Sequence, residues 1–597
     1  MPLKRIFTST MATGLAAVCV LASAPAAAAR PAPPRTPVAE GSGGAVVSDT
    51  VESTQAGIDV LRRGGTAADA AVAVAATLGV TDPYVAGLGG GGYFVYYDAR
   101  TKTVSTIDGR ETTPAGDSST MFVDPATGKP YDFETAVESG RSVGVPGMLA
   151  TWQRALQRWG KFSLADNLKP AEKVARHGFI VTPEFERQTQ SVAAKLGRFS
   201  PSAELFLPGG AAPKAGSVLR NPDLAATYRQ IQREGVGAFY GGPVGRDLVR
   251  AVQKPPVVPS AATPLTGPMQ LSDLRAYRAL DGAPTHINYR GYDVYGMAPS
   301  SSGGITVGEA LNILGNFPLS TMDQTQALHH YLEASRLAFA DRNRYIGDAR
   351  YVNVPQQQLL SKRFAASRAC LIDPHQAGSS PVAPGDPYSP APCATAPAAS
   401  SDSNEQHTNH FVVADKQGNI VSYTNTIEQL AGSGITVPGR GFLLNNELTD
   451  FNFAPTQGSA PDPNLPAPGK RPRSSMSPTI VLHDGKPLLA VGSPGGATII
   501  TTVLQILLNR FDLGMTLPDA IAAPRASQRN SATTDAEKGF LALPAAKGLE
   551  ALGQKFKSGS DIGVAAGIEF LPHGRLLAAG EPSRRGGTSA AVVNGRN

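Results

Sequence analysis

Residues 407–427 have the sequence HTNHFVVADKQGNIVSYTNTI, in which two apolar runs flank a short turn. HFVVAD and IVSYTNTI are rich in β-branched and aromatic residues, and KQGN between them is a typical turn, so the segment predicts a β-hairpin. A second hairpin is predicted from PTIVLH and PLLAVGS on either side of DGK. The part of the chain after residue 407 is therefore expected to be rich in strands.

The residues just before this hairpin have a different composition. Residues 377–403, AGSSPVAPGDPYSPAPCATAPAASSDS, are rich in Pro, Ala and Ser and predict a flexible tether that leads to Thr408. Threonine is common in strands, so its position alone does not establish a function. As the first residue of a chain, however, threonine can use its own α-amine, with a pKa of ~7.7–8.0, as the base that activates its hydroxyl. Cleavage between His407 and Thr408 would create that nucleophile.

Three helices are predicted elsewhere. Thr66 is a typical N-cap before AADAAVAVAATLGV, whose small apolar residues lie on nearly every side and predict a helix buried on several faces. Residues 326–346, QALHHYLEASRLAFADRNRYI, have apolar positions at helical spacing. GGATIITTVLQILLNRF, which follows the second hairpin, predicts a helix entered through glycines.

The N-terminus is typical of a secretory signal. Lys4 and Arg5 precede a short apolar run, and a stretch of small residues ends at Ala29. We expect a signal peptide at residues 1–29, a disordered lead-in at residues 30–44, and order from about Ala45. The apolar run is too short to span a bilayer and no other uninterrupted run is long enough, which predicts a secreted or periplasmic protein outside the membrane.

Charge and cysteine content argue against several functions. The formal net charge is +6, two of these charges lie in the signal, and the remaining cations are scattered, so nucleic-acid binding has little support. Cys370 and Cys393 remain after loss of Cys19, and an oxidising compartment favours a disulfide between them, with two free thiols as the alternative. The sequence has no HExxH or CxxC motif, so we predict no metal and no cofactor.

Many segments resemble motifs of the gamma-glutamyltranspeptidase family. The hairpin that begins at Thr408 resembles the start of the family's small subunit, where a Thr-Thr-His motif leads into a hairpin. The resemblance extends from about residue 45 to the C-terminus. Its other motifs, in family order, are GLGGGGYFVYYD (87–98), DGRETTPA (108–115), GVPG (144–147), APSSSGGI (298–305), GSGITVPGRGFLLNNELTDF (432–451), PGKRPRSSMSPTIV (468–481) and GSPGGATII (492–500).

The resemblance implies an α+β fold, the four-layer αββα sandwich of N-terminal-nucleophile hydrolases, with two mainly antiparallel sheets inside and helices outside. It implies a large subunit of residues 45–407 and a small catalytic subunit of residues 408–597 that form a heterodimer after self-cleavage. The expected donors are small γ-glutamyl compounds such as glutathione, and the expected acceptors are water, amino acids or peptides.

The resemblance also implies the catalytic residues. Thr408 is the expected nucleophile, and Thr426 matches a second threonine that hydrogen-bonds the nucleophile and assists it. Attack on the γ-amide creates an oxyanion, and the backbone N–H groups of Gly495 and Gly496, just ahead of a helix, would stabilise that charge.

The expected substrate-binding residues divide between the two ends of a glutamyl group. A guanidinium fork suits a carboxylate, and the family arginine that binds the α-carboxylate matches Arg110. The paired hydroxyls that share this carboxylate match Ser474 and Ser475. The expected acceptors for the α-ammonium are Glu428, Glu447 and Asp450.

Two positions depart from the family pattern. Asn409 stands where a second threonine is usual, and Glu428 stands where many relatives have asparagine. Two alternatives stay open: a related beta-lactam acylase that takes a glutaryl or aminoadipyl side chain, and a secreted binding protein that no longer cleaves itself. Arg110, Asp450 and the serine pair favour an amino-acid donor over the acylase reading.

Overall fold

The structure is a computed structural model, which describes Met1 and residues 34–391, 393 and 407–595. The predicted signal peptide therefore lies, beyond Met1, outside the described residues. The same holds for residue 392 and residues 394–403 of the predicted tether. None of the helices in the described residues combines the length and the hydropathy that crossing a membrane requires.

Strands and helices are interspersed along the described chain. The strands are β1 (Val38–Ser48), β2 (Gly91–Asp98), β3 (Thr103–Asp108), β4 (Phe179–Ile180), β5 (Val218–Leu219), β6 (Leu280–Gly282), β7 (Thr285–Tyr289), β8 (Tyr292–Gly296), β9 (Asn409–Asp415), β10 (Ile420–Thr426), β11 (Thr479–His483), β12 (Lys486–Gly492), β13 (Ala526–Ser527), β14 (Thr534–Ala536), β15 (Phe556–Ser558), β16 (Ala566–Leu571), β17 (Arg575–Gly580) and β18 (Ser589–Gly595). The α-helices are α1 (Val51–Arg62), α2 (Ala67–Thr81), α3 (Phe133–Val137), α4 (Met148–Trp159), α5 (Leu164–His177), α6 (Pro183–Ser191), α7 (Ala193–Gly197), α8 (Ser200–Phe206), α9 (Pro222–Glu234), α10 (Gly237–Tyr240), α11 (Pro243–Gln253), α12 (Leu271–Ala276), α13 (Gly303–Leu314), α14 (Gln324–Tyr345), α15 (Gln356–Leu359), α16 (Lys362–Ala369), α17 (Thr498–Phe511), α18 (Leu517–Ala522), α19 (Lys538–Leu541) and α20 (Pro544–Ala551).

Within the described residues, one large sheet organises the fold. It has thirteen strands, in the order β6-β3-β2-β10-β9-β1-β17-β16-β12-β11-β8-β7, and β18 also pairs with β1. Its strand pairs are antiparallel. The two antiparallel sheets expected inside the sandwich are the two halves of this one continuous sheet.

Strand β1 joins the two halves. Its residues Val38–Gly41 pair with β17, whereas Gly44–Val47 pair with β9. Gly43 and Gly44, with φ of +84° and +122°, lie where the register against β18 shifts, and such backbone conformations favour glycine. The prediction that residues 30–44 are disordered is therefore wrong from Val38 onward, because distant strands supply backbone partners that local composition does not reveal.

Helices cover both outer faces of the folded sheet. Alternate residues of a strand face opposite sides, so Val46 and Val413 pack against α1, α2, α4 and α5, whereas Val47 and Val412 point the other way. Between the sheet halves, Val47 and Val412 share a core with Ile568 of β16. Helices α13, α14 and α17 cover the half that contains β7, β8, β11 and β12. The chain thus has the predicted α+β architecture, a four-layer αββα sandwich.

The helices and hairpins predicted from sequence are present. Thr66 caps α2 in a capping box with Asp69, and every residue of this helix is buried. The pattern at 326–346 corresponds to α14, and the glycine-entered pattern corresponds to α17. The predicted hairpins are β9–β10 and β11–β12.

The described part of the predicted tether is held to the body of the protein. Helix α14 accepts hydrogen bonds from the backbone of this loop: Gly378 donates to Glu333 at 3.1 Å and Gly385 donates to Asp341 at 2.5 Å. The loop is therefore attached to α14 at Gly378 and Gly385, where carboxylates of a buried helix accept from its backbone.

The predicted disulfide is confirmed. Cys370, at the end of α16, is bonded to Cys393 across 23 positions of sequence. The bond fixes Cys393, a residue of the predicted tether, to the helical layer.

Candidate active site

The β9–β10 hairpin brings Thr408 and Thr426 together. Thr408 directly precedes β9, Thr426 ends β10, and the register pairs Asn409 with Asn425, so both threonines lie at the same end of the hairpin. Their Oγ1 atoms are 3.3 Å apart, and both residues are buried. The sequence prediction that these two threonines are neighbours is therefore met by the geometry.

Both hydroxyls contact the peptide group that precedes Thr408. The carbonyl oxygen of His407 accepts from Thr426 Oγ1 at 3.0 Å. The Thr408 hydroxyl lies 2.8 Å from the same oxygen. Thr426 Oγ1 in turn accepts from the backbone N–H of Glu428 at 2.8 Å. Both hydroxyls thus donate to the carbonyl oxygen that precedes Thr408.

His407 itself is partly buried. Burial, with the nearby cations Arg585, Lys195 and Arg187, lowers the pKa of His407 from 6.5 to about 3. The imidazole is therefore neutral at working pH, and the residue that would leave on cleavage carries no side-chain charge.

Arg110 is buried between two of the carboxylates that the sequence assigns to the substrate. It follows β3, and its guanidinium hydrogen-bonds Glu447 and Asp450, which form a short 3₁₀ turn at Glu447–Asp450. Burial alone would lower the pKa of Arg110, but these two carboxylates raise it well above its usual value. The arginine is therefore charged, and in the uncut chain its partners are the protein's own acids.

Glu428 directly follows Ile427, the residue after Thr426. Its backbone has φ of +80°, a left-handed conformation that is uncommon for glutamate. Its carboxylate accepts from Asn446 and, at 3.1 Å, from Gln429 Nε2. The conformation directs the Glu428 N–H to Thr426 while the carboxylate lines the site.

Ser474 and Ser475 lie beside helix α13 and helix α14. The Ser474 carbonyl accepts from Ser302 at 2.7 Å, and Ser474 Oγ accepts from the N–H of Met476 at 3.2 Å. Ser475 Oγ accepts from Arg342 Nη2 at 2.7 Å. Buried partners therefore fix both serines.

A cleft of about 210 Å³ brings most of the predicted site together. Gly495 and Gly496 are not among its lining residues, but Ile499, whose N–H donates to the Gly496 carbonyl at 3.0 Å, is one of them. Ser475 is not among the lining residues either. The lining residues are Arg110, His407, Thr408, Thr426, Glu428, Glu447, Asp450, Ser474, Met476 and Ile499.

Two contacts at Thr408 were not predicted from the sequence. Arg585 Nη1 donates to the Thr408 carbonyl at 3.2 Å, across 177 positions of sequence. Asn409 Nδ2 donates to Asp49 at 2.5 Å. Burial and the neighbouring Asp82 raise the pKa of Asp49 to about 7. The only available signal was the departure at Asn409, which identified an unusual residue but not its partner.

No group of three or more His, Cys, Asp or Glu side chains in the described part of the chain is arranged to hold a metal ion.

A threonine at the start of a buried strand, with its hydroxyl against the preceding carbonyl and a four-layer sandwich around it, defines the class of N-terminal-nucleophile hydrolases in uncut form. Comparison with known proteins identifies the family. The family model described as gamma-glutamyltranspeptidase matches residues 53–591. The chain belongs to the gamma-glutamyltranspeptidase family.

Individual relatives agree with this assignment. The chain is 37% identical to the glutathione hydrolase proenzyme of Bacillus subtilis strain 168, over 98% of each chain. It is also 37% identical to the glutathione hydrolase proenzyme of Escherichia coli K12, over 95% of this chain and 97% of the relative. Among solved structures, a cephalosporin acylase from Bacillus halodurans superposes with a TM-score of 0.80 at 27% identity, over 95% of this chain and 99% of the acylase.

Proposed function

We propose that this chain is a self-cleaving gamma-glutamyltransferase and glutathione hydrolase with Thr408 as its nucleophile. The observation that carries the proposal is the contact of both the Thr408 and the Thr426 hydroxyl with the His407 carbonyl oxygen, at 2.8 and 3.0 Å. The match to the gamma-glutamyltranspeptidase family over residues 53–591 supports the same reaction.

Self-cleavage starts from this arrangement. Thr408 Oγ1 attacks the His407 carbonyl carbon, the peptide C–N bond breaks, and the hydroxyl proton ends on the new α-amine of Thr408. Thr426 stabilises the negative charge that develops on the carbonyl oxygen. Water then opens the ester, which leaves a carboxylate on His407 and both a free hydroxyl and a free amine on Thr408.

The free amine then serves the catalytic cycle. It takes the proton of Thr408 Oγ1 as the hydroxyl attacks the γ-carbonyl of a donor, and this gives an acyl-enzyme and releases the donor's amine. Gly495 and Gly496 precede α17, so their backbone N–H groups lie at the positive end of a helix, where an oxyanion is stabilised. Water or an amino-acid or peptide acceptor releases the γ-glutamyl group.

The donor's α-carboxylate binds Arg110 with Ser474 and Ser475, and its α-ammonium binds Asp450, Glu447 and Glu428. Arg110 and Ser474 of the first group and all three carboxylates of the second group line the same cleft, whereas Ser475 follows Ser474 in the chain and is not among the lining residues. Ser475 Oγ already accepts from Arg342, so its own proton remains available to a carboxylate.

The proposal extends to maturation. The signal peptide at residues 1–29 is removed on export, and residues up to 407 and from 408 onward remain together as a large and a small subunit. Strands β9 and β10 pair with β1 and β2 of the large subunit, so the two products share one sheet and stay associated.

The second candidate is a beta-lactam acylase, and the likeness to a cephalosporin acylase favours it. A glutaryl donor has no α-ammonium, however, so an acylase that takes glutaryl groups would have no use for the three carboxylates of the cleft. An aminoadipyl donor has the ammonium but is one methylene longer than a γ-glutamyl group. We therefore prefer the γ-glutamyl donor.

The test combines the sizes of the purified chains with the rates at which the protein hydrolyses two anilide substrates. The purified protein should separate on a denaturing gel into two chains, the shorter beginning with Thr408, whereas Thr408→Ala should stay uncut. Thr408→Ser, which keeps the hydroxyl, should still cleave. Hydrolysis of a γ-glutamyl anilide in preference to a glutaryl anilide supports the transferase, and the reverse preference supports the acylase. An uncut wild-type chain would refute both enzyme readings.

A further inference from the structure

Lys195 of helix α7 contacts the turn at residues 428–434, which begins with Glu428. The Lys195 ammonium donates to the backbone carbonyls of Leu430 and Gly432, at 3.1 and 3.2 Å. Glu428 lines the donor cleft, whereas Lys195 is not among the lining residues. Helix α7 precedes the proposed cleavage point and the turn follows it, so after cleavage this contact would join the two subunits.

The backbone of this turn is unusual. Glu428 and Ala431 have φ of +80° and +68°, and Gly432 and Gly434 have φ of +55° and +79°. Glycine adopts such left-handed conformations readily, but for other residues each costs about 1–3 kcal/mol and persists only where surrounding contacts impose it. The position of Glu428 therefore depends on the groups that hold the turn.

Several of these groups come from distant parts of the chain. The Tyr84 carbonyl accepts from the N–H of Ala431 at 2.8 Å, and Ser202 Oγ donates to the Gly434 carbonyl at 2.6 Å. A Cβ atom on Gly434 would lie 2.8 Å from Lys195 Cγ, so the stem of the lysine packs directly on the turn. Lys195 adds a charged donor, and hydrogen bonds of charged groups are roughly twice as strong as neutral ones.

The charge of Lys195 also reaches the cleft. Burial lowers the pKa of Lys195, and the carboxylate of Glu428 is one of the neighbouring acids that act to raise it. Lys195 is likewise one of the cations that, after burial, lower the pKa of His407, another lining residue. Lys195 thus lies near the cleft without forming part of its wall.

We propose that Lys195 is a positioning residue for the ammonium end of the donor site. By holding the carbonyls of Leu430 and Gly432, it keeps Glu428 where its carboxylate receives the donor's α-ammonium. The inference rests on the proposed function, which assigns Glu428 to that ammonium. It adds a residue of helix α7 that acts on the donor only through the turn.

The direction of the effect separates this role from a simple effect of charge. Lys195 and the donor's ammonium have the same sign, so loss of the lysine's charge alone would strengthen donor binding. Loss of its two hydrogen bonds would release the turn and weaken donor binding. The proposal therefore predicts a higher donor KM when Lys195 is removed.

The principal experiment compares Lys195→Met with the matched control Lys173→Met, which makes the same change at an exposed position of helix α5. On protein that a denaturing gel shows to be cleaved, Lys195→Met should raise the KM for a γ-glutamyl anilide about tenfold, the loss typical of one hydrogen bond to a charged group. The kcat should stay within about twofold of the wild type, because the nucleophile is unaltered. The control should match the wild type in both.

Two further measurements separate positioning from general damage to the fold. Glutaryl anilide has no ammonium, so its inhibition constant as a competitor should change by less than about twofold in Lys195→Met. Lys195→Arg keeps a cation with several N–H donors and should restore most of the donor KM.

A second variant decides the question if Lys195→Met fails to fold. Lys195→Gln keeps one N–H donor group without the charge, so it should raise the donor KM, although by less than methionine does. If neither variant gives cleaved protein while Lys195→Arg does, Lys195 acts in folding and the proposal is wrong.

Three other results would overturn the proposal: a donor KM for Lys195→Met within about twofold of the Lys173→Met control, a KM below that of the wild type, or an equal rise in the inhibition constant of glutaryl anilide. Failure of the proposed function would look different, since the wild type itself would then not hydrolyse the γ-glutamyl anilide.

Discussion

Thr426→Val should slow self-cleavage without changing the shape of the site. Valine replaces the hydroxyl with a methyl group of similar size, and Thr426 ends a strand in which a β-branched residue is favoured. The substitution removes the donor to the His407 carbonyl at 3.0 Å and the acceptor for the Glu428 N–H at 2.8 Å. The nucleophile Thr408 keeps its own contact with that carbonyl.

The size of the effect follows from where the charge develops. The His407 oxygen becomes negative as Thr408 attacks, so the lost donor acts on the transition state more than on the uncut chain. Removal of one preorganised donor to such an oxygen typically slows a reaction by about 10²–10³, or ~2.7–4 kcal/mol. The unpartnered Glu428 N–H adds a stability cost of about 1–3 kcal/mol, because the group is buried.

The assay follows the fraction of uncut chain with time on a denaturing gel, with intact mass to identify the products. Thr426→Ser serves as the control, because it keeps the hydroxyl and should cleave at close to the wild-type rate. If Thr426→Val cleaved as fast as Thr426→Ser, the hydroxyl would not be stabilising the oxygen, and the proposed role of Thr426 would have to be abandoned.

Three further predictions concern binding and stability. Asp450→Asn should raise the KM for a γ-glutamyl donor about tenfold through loss of a charged acceptor, and an unchanged KM in steady-state assays would contradict its role. Because burial lowers the pKa of His410 from 6.5 to about 3, the neutral imidazole contributes stability above pH 6.5 that is lost as the pH falls. Between pH 6.5 and 5 the free energy of unfolding should therefore drop by about 2 kcal/mol more in the wild type than in His410→Gln, and parallel profiles would contradict this. Opening the Cys370–Cys393 bridge with a pair of Cys→Ser changes should cost about 3 kcal/mol, measured by denaturant unfolding, and no loss would show that the loop is ordered without the bond.

The sequence predicts the position of the two threonines because the information is local. Apolar runs and a turn predict the hairpin, and its register brings Asn409 opposite Asn425, which places Thr408 and Thr426 side by side. The family motifs added Arg110, which no periodicity would have distinguished from a solvated arginine.

Other features depend on contacts between distant parts of the chain. Val38 pairs with Ala579, so the start of β1 is ordered by a strand from the other end of the sequence, although Pro and Gly nearby suggest disorder. Arg585 reaches Thr408 from 177 positions away. Such contacts arise only when the sheet closes, and no local pattern encodes them.

The ion pairs of Arg110 explain how a site with so many charges can fold before it meets a substrate. An isolated buried guanidinium would cost about 3–5 kcal/mol, but Glu447 and Asp450 compensate it in the uncut chain. A donor brings one carboxylate and one ammonium, so its binding exchanges pairs within the protein for pairs with the ligand and leaves the number of unpaired charges unchanged. The sequence assigns Arg110 to one end of the substrate and Glu447 and Asp450 to the other end. Without the substrate, these residues therefore pair with one another.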